Sequence, residues 1–252
     1  MAGHSKWANT KHRKARADAA KGKIFTKIAR EITVAAKEGG DDIDSNFRLR
    51  LAVQKAKENN MPGDNIQRAI QKGVGGQEGE SFEQAVLEGY AAGGVAILLE
   101  VMTDNHNRTV AEIRHLFSRH NGSLGESGCV AWMFSRKGLI RVSQKDAGID
   151  EDDLMLAALE AGAEDVDLDD SGIYNIITEI EQLQTVRDQL QGQGISVDSY
   201  ELTMLPSNTL NITDGDTAAK IIKLMEALDD HDDVQNVYAN FDIPEELMAE
   251  TQ

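Results

Sequence analysis

Cysteine is almost absent from this sequence, which has one, Cys129, among 252 residues. A single cysteine excludes an intramolecular disulfide framework and is typical of proteins from reducing compartments. No run of 18 apolar residues occurs, which argues against a membrane-spanning helix. The basic N-terminal region is not followed by an apolar stretch, so it lacks the pattern of a secretory signal. We therefore expect a cytoplasmic protein with no membrane partner.

The sequence also lacks the residue groupings of common catalytic and metal sites. Its six histidines are scattered, and neither CxxC nor HExxH spacing occurs. The run Asp165–Asp170 begins like an EF-hand loop, but Asp170 stands where that loop needs glycine. The glycine-rich stretch at 73–76 has no following Lys-Ser/Thr, which excludes a P-loop, and no GxSxG motif is present. We expect no enzymatic activity, no cofactor and no small-molecule substrate.

A metal site is likewise not expected. One alternative stays open, because removal of Met1 would give an Ala2-Gly3-His4 terminus whose nitrogens suit Cu(II) or Ni(II). A role for His4 in binding nucleic acid is the favoured interpretation.

The charge is strongly segregated along the chain. The formal net charge is -17, yet residues 1–80 hold sixteen Lys/Arg and ten Asp/Glu. Residues 81–252 hold ten Lys/Arg and thirty-three Asp/Glu. A basic segment on an acidic body is the electrostatic pattern of a protein that binds a polyanion.

The basic region has two parts, an N-terminal arm and a cationic ridge on the helix that follows. The arm, residues 3–21, alternates small residues with cations and has little apolar surface, so we expect it to order only on a partner. In residues 22–37 the apolar side chains share one helical face, and cations occupy the opposite face. Flat rings beside cations are typical of surfaces on which unpaired bases stack. The predicted contacts are His4, Lys6, Trp7, Lys11, His12, Arg13, Lys14, Arg16 and Lys21 of the arm and Lys23, Lys27 and Arg30 of the ridge.

Two other interpretations of these residues remain. Lysine and arginine on the outer face of a helix can simply keep that face in water, and Trp7 can be a hydrophobic anchor onto the rest of the protein.

A second polar patch follows the sequence DNHN at 104–107. Asn107 or Thr109 is expected to cap a helix over Arg108–His120, and free N–H groups at a helix start can hold phosphate. The predicted patch comprises Asn107, Arg108, His115 and Arg119. A capped surface helix without a ligand is an equally good interpretation.

Periodicity predicts an α+β protein: an N-terminal helical domain followed by two α/β sandwich-type domains, one of them ferredoxin-like and inserted in the other. Residues 1–80 read as helices, with a cap at Asp44-Ser45-Asn46 and a break at Pro62. A middle domain would comprise residues 81–134 and 207–245, with Cys129–Phe134 as its third strand. Residues 135–206 have the order βαββαβ of a ferredoxin-like domain.

Several stretches resemble the YebC/PmpR family, which includes the mitochondrial translational activator of cytochrome c oxidase. They are AGHSKW at the start, GKIFTKIAREI, EGYAAGG, TDNHNRTVAEIRH and ALEAGAEDV, and the resemblance runs from residue 2 to about residue 240. It implies three domains and a regulator of gene expression that binds nucleic acid. Two targets are implied: promoter DNA for a transcriptional regulator, or ribosomal RNA and tRNA for a ribosome-associated factor that relieves stalling at proline-rich stretches.

The choice between the two targets is left open by the sequence. The label of the resembled family favours transcription. The net charge of -17 and the lack of a clear helix-turn-helix pattern favour structured RNA on a ribosome.

Overall fold

The structure, a computed structural model, describes residues 18–75, 82–145, 150–169, 172–244 and 247. These residues form two compact units. One unit contains Trp132–Asn211 and Asn240–Asp242, and the other contains the described parts of Thr10–Ala131 and Ile212–Ala239. The first unit therefore interrupts the second in sequence. Among the described residues, no helix combines the length and apolarity needed to cross a membrane.

The N-terminal helices are α1 (Asp18–Gly39), α2 (Phe47–Glu58) and α3 (Gly63–Val74). Their apolar residues recur every three or four positions, and this stripe forms a shared core that includes Ile28, Ile32 and Leu49. Asn46 begins α2: its side chain accepts from the Leu49 N–H and donates to the carbonyl oxygens of Ala35 and Gly40. The cap predicted at residues 44–46 is thus Asn46, which also ties α1 to α2.

The same unit also contains β1 (Glu83–Tyr90), β2 (Ala96–Thr103), α4 (His106–Arg119), β3 (Ser123–Leu124), α7 (Gly215–Asp229) and β9 (Val234–Ala239). Its strands form a four-stranded antiparallel sheet of order β3-β1-β2-β9. β2 lies in the middle and is buried along nearly its whole length. Helices α4 and α7 pack against each other and against this sheet.

The elements of the other unit are, in chain order, β4 (Phe134–Ser143), α5 (Glu151–Glu160), β5 (Asp165–Leu168), β6 (Ile173–Thr178), α6 (Leu183–Gly192) and β7 (Ser199–Pro206). The sheet order is β5-β6-β4-β7, with every neighbouring pair antiparallel. This arrangement is the split βαβ of ferredoxin-like domains. A short parallel pair, β8 (Leu210–Asn211) with β10 (Phe241–Asp242), completes the unit.

The predicted fold class is confirmed, including the ferredoxin-like part inserted between two segments of another α/β part. The division of the larger unit near residue 80, and the boundaries near 134 and 206, stay predictions.

One predicted strand is wrong. Cys129–Phe134 was expected as a strand, but β3 lies earlier and Ala131–Met133 is a 3-10 helix. The buried carboxylate of Glu88 explains the difference: it accepts hydrogen bonds from the backbone N–H groups of Gly128, Val130 and Ala131 at 2.6–2.7 Å. Because these groups converge on one side chain, they cannot form a strand ladder.

The predicted cap of α4 is also wrong. Asn105, rather than Asn107 or Thr109, precedes the helix and accepts from the Arg108 N–H at 3.1 Å. Thr109 is buried, with 1% exposure, and its hydroxyl donates to the carboxylate of Asp233 at 2.7 Å.

Candidate nucleic-acid interface

Most of the predicted arm lies outside the described residues. This applies to the nine positions His4, Lys6, Trp7, Lys11, His12, Arg13, Lys14, Arg16 and, for its side chain, Lys21. Their contacts with nucleic acid stay a prediction. The structure does describe the ridge, the patch at the start of α4, and the surface between α1 and α3.

The cationic ridge of α1 faces an acidic segment, residues 229–233, that joins α7 to β9. The ion pairs are Lys23–Asp230 at 3.2 Å, Lys27–Asp229 at 3.9 Å and Arg30–Asp233 at 2.9 Å. Arg30 also donates to the carbonyl oxygen of Asp232 at 2.7 Å. The ridge cations therefore have carboxylate partners within the chain, about 200 residues away in sequence.

Asp233 is the centre of this contact. It is only 3% exposed, and four side chains donate to its carboxylate. The donors are Arg30 at 2.9 Å, Arg108 at 2.8 Å, Thr109 at 2.7 Å and Thr103 at 3.3 Å. We call these five residues the Asp233 hub. It joins α1, β2, α4 and the segment between α7 and β9.

The hub changes the ionisation of its members. Burial acts to raise the pKa of Asp233, but the hydrogen bonds from Thr109 and Arg108 outweigh it, with help from the charges of Arg30 and Arg108. The pKa of Asp233 therefore lies below its ordinary value. Hydrogen bonds to Asp233 and Asp104 raise the pKa of Arg108. The carboxylate and guanidinium groups are thus held in their charged forms.

The second predicted patch includes one residue, Arg108, that is a member of the Asp233 hub. Asn107, Arg108, His115 and Arg119 are all exposed on α4. Arg108, however, is bound to Asp233 and, at 2.8 Å, to Asp104. One member of the patch therefore has a role inside the protein, and phosphate binding by the patch stays a prediction.

The group Glu112, His231 and Asp233 has ligand atoms within 4.8 Å of one another. The Asp233 N–H donates to Nδ1 of His231 at 3.1 Å, so in the neutral ring Nε2 carries the proton, 2.9 Å from Glu112. Asp233 already accepts from two arginines. The donors and charges therefore fit a hydrogen-bonded network better than a cation site.

A surface that sequence reasoning missed lies between α1 and α3. Asn65, Arg68 and Lys72 line it from α3, and Phe25 and Arg30 line it from α1. Phe82, just before β1, closes one end: the guanidinium of Arg30 lies 5.2 Å and the ammonium of Lys72 5.8 Å from its ring centre. The sequence does contain a signal for this surface: Asn65, Arg68 and Lys72 have the spacing i, i+3, i+7, which places them on one helical face.

Comparison with known proteins identifies the family. The sequence-family model for the TACO1/YebC N-terminal domain matches residues 5–76. The sequence-family model for the TACO1/YebC second and third domain matches residues 82–241. The chain belongs to the TACO1/YebC family. This confirms the resemblance seen in the sequence motifs.

Relatives in the TACO1/YebC family match over nearly their whole length. A protein of Halothermothrix orenii is 57% identical over 250 residues, which is 99% of this chain and 98% of the relative. One of Persephonella marina is 53% identical over 248 residues, 98% of each chain. Both are named "Probable transcriptional regulatory protein", the name of a regulator and not of an enzyme.

A solved structure shares the fold. The crystal structure of a conserved hypothetical protein from Aquifex aeolicus has a TM-score of 0.83 and 48% sequence identity. The match covers 92% of this chain and 94% of that one.

Proposed function

We propose that this member of the TACO1/YebC family is a non-enzymatic regulator of gene expression that binds nucleic acid through its N-terminal region. One observation carries the proposal: residues 1–80 have six more cations than acids, whereas residues 81–252 have twenty-three more acids than cations. Phosphate neutralisation by lysine and arginine dominates nucleic-acid affinity. The basic region is the part of the chain that attracts a polyanion, and the acidic remainder repels one.

The arm provides the main contacts in this proposal. Lys6, Lys11, Arg13, Lys14 and Arg16 neutralise phosphates, and the rings of His4, Trp7 and His12 stack on bases. Lys21 and the ridge extend the same surface. Because Lys23, Lys27 and Arg30 have aspartate partners, phosphates would have to replace those carboxylates.

Promoter DNA is the proposed target, in agreement with the names of the relatives. Ribosomal RNA or tRNA, in a factor that acts on the ribosome, is the second candidate. The net charge of -17 favours it, because a strongly acidic body disfavours wrapping along an extended duplex.

Replacing Lys11, Arg13 and Lys14 with alanine tests the arm. Fluorescence anisotropy at several salt concentrations should show weaker binding and a salt slope that is shallower by roughly 0.7–0.9 per lost phosphate contact. The matched control replaces Arg114, Lys220 and Lys223, three exposed cations of α4 and α7, and should change neither. An unchanged slope in the arm variant would show that the arm does not contact phosphates.

Ultraviolet crosslinking in cells decides between the targets. Crosslinks that survive RNase and lie upstream of a few genes would support promoter DNA. Crosslinks concentrated in ribosomal RNA and tRNA would support the second candidate and exclude direct promoter binding as the main activity.

A further inference from the structure

A groove of about 480 Å³ lies between α1 and α3 in the larger unit. Its floor consists of small or apolar side chains, among them Ala29, Ala69 and Met61. Its rim consists of long cationic and aromatic side chains. The volume is within the range of sites that hold a small organic group such as one nucleotide.

The groove exists because α1 and α3 approach closely on small residues. The hydroxyl of Thr33 donates across to the carbonyl oxygen of Ala69 at 3.1 Å. Gly73 lies against the backbone of α1 at Thr33, and a Cβ there would overlap that carbonyl oxygen. Small residues at the contact leave a trough, and the larger side chains on either side form its walls.

The rim has a net positive character. Arg68 is exposed and hydrogen-bonds to neutral oxygens, the backbone carbonyl of Asp64 at 3.2 Å and the side chain of Asn65. Lys72 is exposed one helical turn further on. The acid in the lining, Asp104, is bound to Arg108. Since the hydrogen bonds of Arg68 go to neutral oxygens and Asp104 is paired with Arg108, a phosphate beside Arg68 would meet a positive charge without displacing a carboxylate.

The rings complete the chemistry of the groove. Phe25 contributes to one wall, and Phe82 closes the end beside Lys72. Stacking on aromatic rings next to cations is the way in which proteins hold unpaired bases, and it tolerates any base. The amide of Asn65 can donate to or accept from a base edge.

We infer that this groove binds one nucleotide of a single-stranded nucleic acid, with its base among the rings of Phe25 and Phe82 and its phosphate at Arg68 and Lys72. The inference rests on the proposed function and adds a second contact beyond the arm. A base inside a duplex cannot enter the groove without being flipped out, so single strands are preferred. A metal cation is excluded by the cationic rim, and an apolar ligand would offer no acceptor to the exposed guanidinium of Arg68.

The test compares two groove variants with two controls in the full chain. Arg68→Gln removes an exposed charge that has no carboxylate partner among its hydrogen bonds, and Phe82→Leu removes a ring. Arg114→Gln is the matched charge control on α4, and the arm variant (Lys11, Arg13 and Lys14 to alanine) reports on the proposed function. The probes are a fluorescein-labelled 20-nucleotide uridine RNA, the thymidine DNA of equal length and a 20-base-pair DNA duplex. Circular dichroism checks that each variant folds.

We expect Arg68→Gln and Phe82→Leu each to weaken binding of the single strands about fivefold or more, as loss of one stacked base or one phosphate contact does. Duplex affinity should change less than about twofold, and Arg114→Gln should behave as the wild type. A 5-bromouridine RNA should photocrosslink at Phe25 or Phe82. Stronger loss with the RNA than with the thymidine DNA would assign the groove to RNA.

Three results would contradict the inference. If the arm variant loses affinity while Arg68→Gln and Phe82→Leu do not, the groove is not a binding site and the proposed function stands. If the groove variants weaken duplex and single strands equally, the groove does not select an unpaired base. If the wild-type chain binds none of the three probes, the proposed function fails together with the inference.

Discussion

Replacing Asp233 with asparagine should detach α1 from the segment that joins α7 to β9. One carboxylate oxygen of Asp233 accepts from Arg30, and the other accepts from Arg108, Thr109 and Thr103. Asparagine has the same shape, but one of the two oxygens becomes an NH2 group that can only donate. Whichever way the amide is turned, this group faces a donor of the hub.

The size of the effect follows from burial. Asp233 is 3% exposed, and removal of one partner from a buried ion pair costs about 3–5 kcal/mol because the other charge is left without compensation. The side chain of Arg30 is 19% exposed and that of Arg108 is 42% exposed, so water compensates part of the loss. We therefore expect the variant to lose about 3 kcal/mol of unfolding free energy in the larger unit.

The measurement must separate the two units, because a signal from the whole chain averages two transitions. Hydrogen exchange followed by mass spectrometry in increasing urea reports on peptides of α1 directly. Asp230→Asn is the matched control: Asp230 pairs with Lys23, but the two side chains are 75% and 46% exposed, so the loss should be under about 0.5 kcal/mol. A loss below about 1 kcal/mol in Asp233→Asn, or one equal to that of the control, would refute the role assigned to the hub.

Three further predictions concern other parts of the structure. The pKa of Asp233 is lower in the folded than in the unfolded chain, so its contribution to stability is complete above the ordinary value of 3.8 and is lost as pH falls from there through the lower folded-state pKa. Urea midpoints measured as pH falls from 5 to 3 should therefore decrease less steeply in Asp233→Asn than in the wild type. Gly73→Ala should destabilise the helical region by about 2 kcal/mol, because the added Cβ would overlap a backbone carbonyl oxygen of α1. Gly22→Ala is the control, since a Cβ at Gly22 would meet open space and should cause no such loss. Urea unfolding of the two variants measures the difference. Burial raises the pKa of the Cys129 thiol and the charge of Glu88 raises it further, so Glu88→Gln should speed alkylation of Cys129 by iodoacetamide; an unchanged rate would contradict this.

Local patterns predicted most of the secondary structure. The three- and four-residue spacing of Ile28 and Ile32 places α1, and the chain break at Pro62 precedes α3. The βαββαβ order is visible in the sequence because its strands are short segments, either apolar or alternating apolar with polar residues, between turn residues. These features depend on residues that are close together in the chain, so periodicity captures them.

The two errors arise where distant residues decide the structure. The segment at Cys129–Phe134 is apolar and looks like a strand, but a carboxylate from β1, some 40 residues earlier, gathers its N–H groups. Thr109 has the spacing of a capping residue, yet its hydroxyl donates to Asp233, 124 residues away. No local pattern reports such a partner.

The candidate site shows the same division between what the sequence reveals and what distant contacts decide. Counting charges finds the excess of cations in residues 1–80, but it cannot tell which cations have partners within the chain. A phosphate that took Arg30 from Asp233 would leave a carboxylate buried with one fewer compensating charge, which opposes binding at that end of the ridge while the hub is intact. A phosphate at Arg68 would not displace a carboxylate in this way, because the hydrogen bonds of Arg68 go to neutral oxygens. Among the described cations, a phosphate beside Arg68 would therefore displace neutral hydrogen-bond partners, whereas one at Arg30 would displace a buried carboxylate.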